Sequence, residues 1–313
     1  MGSINYIKRV VGMKFVTAKY GEESFVGLVY DTDSKVLPLN IVEKKMLGST
    51  SLPETMIECI SLGEEFLSKV NTLEKWVKEK EDNSLFLPLD EVELLAPIPR
   101  PSKNIFCVGK NYAEHAIEMG SKEDIPEHVM VFTKAPTTVI GPEKTILNQR
   151  DITQQLDYEG ELAVIIGKKG KGIKREDALD YVFGYTIIND VTARDLQDRH
   201  KQFFIGKSLD TTCPMGPWIV HSSSIKNPNQ LNIETMINGE IRQKSNTEHF
   251  IFPVEEVISV LSMGMTLEPG DIIATGTPAG VGKGFKPPRF LNPGDLMEIT
   301  IENIGTLRND IQK

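Results

Sequence analysis

Cysteine is scarce in this chain of 313 residues. Cys59, Cys107 and Cys213 lie far apart, and none forms a Cys-x-x-Cys pair. An odd number of cysteines at such spacings indicates neither a disulfide framework nor a zinc site. Because unpaired thiols are typical of a reducing compartment, the sequence predicts a cytoplasmic protein.

Positive charge is also in short supply, and long apolar runs are missing. The chain has 35 lysines and arginines against 44 aspartates and glutamates, a formal net charge of -9. This balance argues against non-specific binding to nucleic acids or membrane surfaces, which needs basic surface. No apolar run approaches the ~18 residues of a membrane span, and residues 1–15 lack the pattern of a signal peptide. We therefore expect no nucleic-acid partner and no membrane insertion.

The pattern of the chain changes near residue 98, where Pro97, Pro99 and Pro101 alternate and forbid a helix. Before this point, residues 13–38 are rich in β-branched and aromatic residues, and residues 53–80 carry apolar residues at helical spacing. We predict a disordered extension over residues 1–12, a small N-terminal α+β domain over 13–98 and a catalytic domain over 99–313.

The second part of the chain reads mostly as strands joined by turns. Short helices are expected at 113–119, 175–180 and 253–262. This composition predicts a mixed α/β but β-rich protein whose larger domain is a sandwich or rolled barrel.

The stretch QQLDYEGELAVIIG, residues 154–167, places Asp157, Glu159 and Glu161 at alternate positions before an apolar run. On one strand these side chains would share a face. Such a face is either a solvated edge or a site for a cation. A second apolar strand ends in Asp190, and a buried carboxylate is costly unless it is paired or bound to a metal. A set of carboxylate oxygens suits Mg²⁺ or Mn²⁺ better than zinc.

Six motifs occur in the order in which they stand in the fumarylacetoacetate hydrolase superfamily, and together the chain resembles that family over about residues 100–305. The motifs are FCVGKNYAEHAIEMG (106–120), LDYEGELAVIIGK (156–168), NDVTARDLQDR (189–199), GKSLDTTCPMGPW (206–218), INGEIRQ (237–243) and GDIIATGTPAGVG (270–282).

The resemblance implies a rolled β-sandwich catalytic domain, commonly dimeric, with a small N-terminal domain. It implies that Glu159, Glu161 and Asp190 hold the Mg²⁺ or Mn²⁺ ion. Asp157 precedes the ligand pair and is expected to be structural or to act behind the ligands.

The resemblance also assigns roles outside the metal ligands. His115 and Glu118, neighbours on a helix at positions i and i+3, match a catalytic dyad on a mobile lid; the alternative is a surface histidine on a polar helix. Lys207 matches an active-site lysine, and the alternative is one surface lysine among many.

Four further residues match polar positions near the substrate: Lys134, Arg194, Gln197 and Thr277. Arg194 is alternatively a structural partner of Asp195 or Asp198. Thr277 lies on a Gly-rich turn whose hydroxyl and backbone N–H groups suit a carboxylate. Residues 201–204, between two motifs, are expected to shape specificity.

These groups suit chemistry on a small 2-oxo acid. The sequence is similar to bacterial two-domain members associated with oxaloacetate decarboxylation, which implies conversion of oxaloacetate to pyruvate and CO₂ through a metal-stabilised enolate. Hydrolysis of an acylpyruvate, such as acetylpyruvate or fumarylpyruvate, uses nearly the same machinery. A binding or scaffold protein that has kept the fold is a third alternative, because a fold does not fix a function.

Overall fold

The computed structural model describes residues 12–30 and 34–313. The expected extension over residues 1–12 therefore falls, apart from Gly12, outside the described residues. The strands are β1 Lys14–Tyr20, β2 Glu23–Tyr30, β3 Lys35–Pro38, β4 Leu87–Pro88, β5 Glu93–Leu94, β6 Ile105–Gly109, β7 Met130–Lys134, β8 Val139–Ile140, β9 Leu156–Asp157, β10 Gly160–Ile166, β11 Val182–Asn189, β12 Thr192–Ala193, β13 Cys213–His221, β14 Asn232–Ile237, β15 Glu240–Asn246, β16 Ile272–Ala274, β17 Leu296–Ile301 and β18 Gly305–Asp310.

The α-helices are α1 Leu39–Leu47, α2 Met56–Ser61, α3 Glu64–Lys80, α4 Ala113–Met119, α5 Arg194–His200, α6 Phe204–Lys207 and α7 Val254–Ser262. Short 3₁₀ helices lie at Asn83–Leu85, Leu89–Glu91, Lys122–Asp124, Pro136–Thr138, Arg175–Tyr181, Ser222–Ser224, Thr247–His249 and Gly282–Gly284. Over residues 12–30 and 34–313, no helix is long and apolar enough to cross a membrane.

One large sheet contains strands from both sides of residue 98. Its order is β4-β3-β2-β1-β13-β11-β10-β16-β6-β7, with β5 paired to β1 and β8 to β13. The N-terminal strands enter this sheet through the antiparallel pairing of β1 with β13. The division of the chain into domains at residue 98 stays a prediction.

A second sheet, of order β15-β14-β17-β18, packs against the first. The largest core cluster draws Val164 and Tyr185 from one sheet and Ile233 and Ile299 from the other, so apolar side chains fill the space between the two layers. The expectation of a mixed α/β, β-rich fold is confirmed.

The middle of the large sheet positions the acidic residues. Both β10 and β11 are buried along their whole length, which explains their continuous apolar runs. They pair antiparallel, with Gly160 opposite Asn189. The start of β10 therefore lies beside the end of β11, and carboxylates far apart in sequence meet there.

The structure corrects three expectations of local structure. The continuous strand over 154–167 is wrong, because β9 ends at Asp157 and β10 begins only at Gly160. Helix α1 was missed; it buries Leu39 and Val42 and ends at Gly48, whose φ of 80° is left-handed. The helix expected at 175–180 is present as a 3₁₀ helix.

Candidate metal centre

Three buried carboxylates meet where β10 begins and β11 ends. One oxygen of each of Glu159, Glu161 and Asp190 lies within 4.8 Å of the others, and the three residues are at most 4% exposed. The break between β9 and β10 leaves Glu159 outside both strands, so strand alternation alone does not bring it to Glu161.

Three buried cations surround the cluster. Lys207 Nζ lies 2.6 Å from Glu159 Oε2 and 2.7 Å from Asp190 Oδ2. Lys134 Nζ lies 2.8 Å from Asp190 Oδ1 and donates a hydrogen bond to the carbonyl of Val191.

Arg194 connects the cluster to Asp157. Its NH2 lies 2.6 Å from Glu159 Oε1, and its Nε donates to Asp157 Oδ2 at 2.9 Å. Its NH1 donates to Gln197 Oε1. Asp195 and Asp198, the partners considered from the sequence, are not bonded to it.

The surroundings shift the pKa values of Glu159 and Glu161 in opposite directions. Burial opposes ionisation of Glu159, but Lys207 and Arg194 outweigh it and lower the pKa of Glu159 to about 2. Burial, together with the neighbouring Asp190 and Glu159, holds the pKa of Glu161 well above its ordinary value. The N–H of Gly276 donates to Glu161 Oε2 at 2.7 Å, but this bond does not offset the crowding of like charge.

The site fits a divalent cation by its charge and its donor atoms. When Glu161 is ionised, four carboxylates, counting Asp157, face the three cations Lys134, Arg194 and Lys207, which leaves one negative charge unmatched. Within the described chain, no donor is aligned with Asp190 Oδ1 as a hydrogen bond, although the atom is buried. An all-oxygen donor set suits Mg²⁺ or Mn²⁺.

Asp157 anchors the surroundings of the cluster, and its place outside the ligand set stays a prediction. Besides Arg194, it accepts hydrogen bonds from the N–H groups of Gly282 at 2.6 Å and Lys283 at 2.9 Å. It thereby ties the Gly-rich loop, residues 276–284, to the arginine that holds Glu159. A Cβ at Gly282 would overlap Asp157 Oδ1 and the carbonyl of Arg289, so a glycine is required there.

The same loop holds the helix that carries the predicted dyad. His115 on α4 is 6% exposed, and its Nδ1 lies 3.4 Å from Glu118 Oε2. The N–H of Gly280 donates to both oxygens of Glu118, at 2.9 and 3.1 Å. His115 is near enough to the cluster to contribute to the lowered pKa of Glu159. The catalytic role of the pair and the mobility of α4 stay predictions.

A cavity of about 160 Å³ opens onto the acidic cluster. This is below the roughly 300–1,000 Å³ of drug-sized ligand sites, so it suits a small substrate. The lining residues are Val108, Gly109, Lys110, Met119, Met130, Phe132, Glu159, Glu161, Gln197, Asp198, Phe203, Lys207, Thr277 and Lys283.

Only some of the residues expected near the substrate line the cavity. Gln197 and Thr277 line it, whereas Lys134 and Arg194 are buried behind the carboxylates. Of residues 201–204, only Phe203 lines it, with its ring 5.5 Å from that of Phe132.

Gln243 has a position that the sequence did not single out. Its Nε2 donates to Thr277 Oγ1 at 2.7 Å, and its Oε1 accepts from the N–H of Gly160 at 3.0 Å. The Thr277 hydroxyl donates in turn to the carbonyl of Gly160. Thr277 and Gln243 therefore fix the backbone between Glu159 and Glu161. Gln243 stands in the motif INGEIRQ. A polar residue on a half-exposed strand is expected to face solvent, so the sequence gave no sign of this contact.

This β-rich fold buries two glutamates and an aspartate beside a lysine and a small cavity, an arrangement that could hold a metal ion and a small ligand. The family model described as Fumarylacetoacetate (FAA) hydrolase C-terminal matches residues 104–312. The chain belongs to this family.

Several relatives support this assignment. The chain is 58% identical, over 96% of its length and 100% of the relative's, to oxaloacetate tautomerase YisK of Bacillus subtilis. It is similar to the solved structure of a fumarylacetoacetate hydrolase from Exiguobacterium antarcticum, at a TM-score of 0.80 and 42% identity, covering 96% of this chain and 99% of the other. A 2-hydroxyhepta-2,4-diene-1,7-dioate isomerase from Mycobacterium marinum matches at a TM-score of 0.70 and 29% identity, covering 96% and 98%.

Proposed function

We propose that this protein is a divalent-metal-dependent enzyme that interconverts the keto and enol forms of oxaloacetate. The observation that carries the proposal is the cluster of Glu159, Glu161 and Asp190, buried at the end of a small cavity with Lys207 between two of its carboxylates. The 58% identical relative is named an oxaloacetate tautomerase.

Tautomerisation moves one proton and rearranges two electron pairs. A base removes a proton from C3, the C–H pair becomes the C2–C3 double bond, and the oxygen on C2 gains a proton. We assign the base to His115, which is buried, is oriented by Glu118 and lies near Glu159, although it is not among the residues that line the cavity. The hydrogen bonds from Gly280 to Glu118 keep that carboxylate in place during the transfer.

Lys207 stabilises the negative charge that develops on the C2 oxygen. Its ammonium is fixed by two carboxylates in a buried setting, where a positioned charge acts more strongly than in water. Burial opposes the charge on Lys207, but Asp190 and Glu159 outweigh it and raise its pKa, so the group stays charged. A bound Mg²⁺ or Mn²⁺, held by Glu159, Glu161 and Asp190, would polarise the 2-oxo carbonyl as a Lewis acid.

Decarboxylation of oxaloacetate is the second candidate. It forms the same kind of enolate, but the C3–C4 bond breaks and the bonding pair stays on C3 while CO₂ leaves. Apolar side chains favour this reaction because they desolvate the departing carboxylate. Met119, Met130, Phe132 and Phe203 supply such a lining.

The test compares substrates and products side by side. Oxaloacetate, acetylpyruvate and fumarylpyruvate are supplied with Mn²⁺ or with EDTA, and both tautomer exchange and pyruvate formation are followed. The rate with Glu159→Ala is subtracted, because free divalent ions also act on oxaloacetate. EDTA-sensitive tautomer exchange faster than pyruvate release supports the proposal. Equal rates of pyruvate release and turnover favour decarboxylation, and a preference for fumarylpyruvate or acetylpyruvate favours a hydrolase.

A purely structural or scaffold role makes a different prediction. Mn²⁺ would then leave the thermal unfolding unchanged, whereas a preformed site is stabilised by mass action. We also propose a homodimer. Gel filtration at micromolar concentration should give twice the 34.9 kDa mass of the chain, and a monomer would contradict this assembly.

A further inference from the structure

An exposed ion pair lies on the cavity that holds the buried carboxylates. Lys283 Nζ lies 2.8 and 2.7 Å from the two oxygens of Asp198. Both residues line the same cavity as Glu159 and Glu161. Their side chains are 30% and 61% exposed, so the pair lies where the cavity meets solvent, whereas Glu159 and Glu161 are buried.

The backbone of Lys283 is held by the buried Asp157, whereas its ammonium is held by the exposed Asp198. Its N–H donates to Asp157, which also holds Gly282 and Arg194. The lysine therefore projects from an anchored 3₁₀ turn, and only its flexible side chain needs to move to meet a ligand.

The bond to Asp198 is easily exchanged. Ion pairs between exposed side chains contribute little to stability, and Asp198 can return to water when its partner leaves. A ligand carboxylate deeper in the cavity, where water screens the charge less, would take the place of Asp198.

We propose that Lys283 binds the second carboxylate of a 2-oxo diacid. In the ligand-free protein Asp198 pairs with Lys283, and the diacid displaces Asp198 when it binds. The proposal rests on the proposed function, because it assumes that the 2-oxo acid end lies at Glu159, Glu161 and Asp190. The cavity would then contact both ends of one molecule, and the substrate class is a short 2-oxo diacid rather than an acylpyruvate whose acyl group is uncharged.

This contact also bears on the choice of reaction. An ion pair stabilises the distal carboxylate while it is charged, but CO₂ carries no charge when it leaves. Lys283 therefore stabilises the bound substrate more than the transition state of decarboxylation, and it favours tautomerisation in which C4 keeps its charge.

Binding of two non-reacting ligands tests the proposal. Malate carries the distal carboxylate, and 2-hydroxybutyrate has a methyl group in its place. Their Kd values are measured by calorimetry with Mn²⁺ present, after subtraction of the heat of binding to free Mn²⁺. In the wild type we expect malate to bind more tightly, and in Lys283→Met the preference should fall about tenfold or more.

Asp198→Asn separates a substrate contact from a structural one. If Asp198 competes with the ligand, its removal frees Lys283 and malate should bind a few-fold more tightly. If the pair only braces the loop, Lys283→Met and Asp198→Asn should weaken both ligands alike, and this outcome overturns the proposal. Lys244→Met is the matched control, because Lys244 also forms an exposed ion pair, with Glu234 at 3.2 Å, but does not line the cavity.

A second lysine on the cavity provides the sharpest alternative. Lys110 lines it and pairs with Asp124 at 3.0 Å. Loss of malate preference in Lys110→Met but not in Lys283→Met would overturn the assignment to Lys283. A failure of oxaloacetate turnover in the wild type, with the malate preference intact and dependent on Lys283, would reject the proposed reaction while supporting the diacid site.

Discussion

Glu43 and Glu161 are both buried glutamates, but their surroundings differ. Glu43 on α1 is 3% exposed and accepts four hydrogen bonds, from the Thr50 hydroxyl, the Ser51 N–H and hydroxyl, and the Leu52 N–H. Burial opposes its ionisation, but these donors outweigh burial and lower its pKa. Glu161 has one backbone donor, the N–H of Gly276, and two carboxylate neighbours.

The difference teaches that burial of a carboxylate is not by itself a sign of function. The hydrogen-bond donors around Glu43 balance its charge. Because these donors belong to the loop that follows α1, Glu43 fixes that loop. The surroundings of Glu161 leave its charge incompletely balanced, and a site in that condition is suited to a cation. The number and alignment of partners therefore separate a structural carboxylate from a candidate ligand.

The largest expected effect is on turnover. Glu161→Ala should reduce the metal-dependent rate by on the order of 100-fold or more, since loss of a ligand exceeds the effect of losing an outer contact. Glu43→Ala should leave the rate per folded molecule near that of the wild type, because Glu43 lies on α1 and does not line the cavity. The measurement is turnover at saturating Mn²⁺, normalised to folded protein. Similar losses in both variants would break the comparison.

A third glutamate sharpens the comparison, because Glu118 is hydrogen-bonded like Glu43 yet lies beside His115. Substituting His115→Ala should keep the metal site but slow turnover by about 10²–10⁴-fold, the range of general acid–base catalysis. The Mn²⁺-induced rise in Tm and the rate are measured on the same sample. An unchanged rate would remove His115 from the mechanism, and loss of the Tm rise would make its role structural.

Replacing Glu161 or Glu43 by glutamine is expected to change the stability in opposite directions. Without divalent metal, Glu161→Gln should raise the Tm by about 2 °C or more, because it relieves the repulsion by Asp190 and Glu159. Glu43→Gln should lower the free energy of unfolding by about 1–2 kcal/mol, because its charge-assisted hydrogen bonds weaken. Thermal and urea unfolding in EDTA provide the test. A decrease in both variants would contradict the electrostatic account of the cluster.

The smallest expected effect is a difference in pH dependence. The pKa of Glu43 is lowered, so its contribution to stability is present above the ordinary value of 4.5 and is lost as the pH falls through the lowered pKa. The pKa of Glu161 is raised, so stability is present below 4.5 and is lost as the pH rises toward the raised pKa. The free energy of unfolding of the metal-free wild type and of each Gln variant is measured as a function of pH. The difference between wild type and variant should change with pH in opposite directions for Glu43→Gln and Glu161→Gln. Parallel curves for the two variants would count against these pKa directions.

The sequence predicted much of the fold because its local patterns and its core agree. The apolar stripe of Phe66, Val70, Leu73 and Val77 lies buried along α3, as its helical spacing indicates. Helix α1 was missed because Leu39 and Val42 are its only buried apolar residues, too few to define a helical stripe. The joining of β1 to β13 likewise depends on a pairing that no local pattern specifies.

The sequence predicted the three acidic residues of the cluster, but it did not predict how the fold brings them together. Glu159, Glu161 and Asp190 come together through the register of β10 and β11 and through a break in the chain at Glu159, not along one continuous strand. The role of Asp157 as an anchor for Gly282 and Lys283 joins residues more than 120 positions apart. Such contacts follow from tertiary structure, so residue spacing could not reveal them.

Direct titration of Mn²⁺ into the metal-free protein tests the central claim, that the incompletely balanced carboxylates form a cation site. The account predicts one bound ion per chain in the wild type and in Glu43→Gln, and a lost or greatly weakened site in Glu161→Gln. Absence of binding in the wild type, or equal binding in all three proteins, would contradict it.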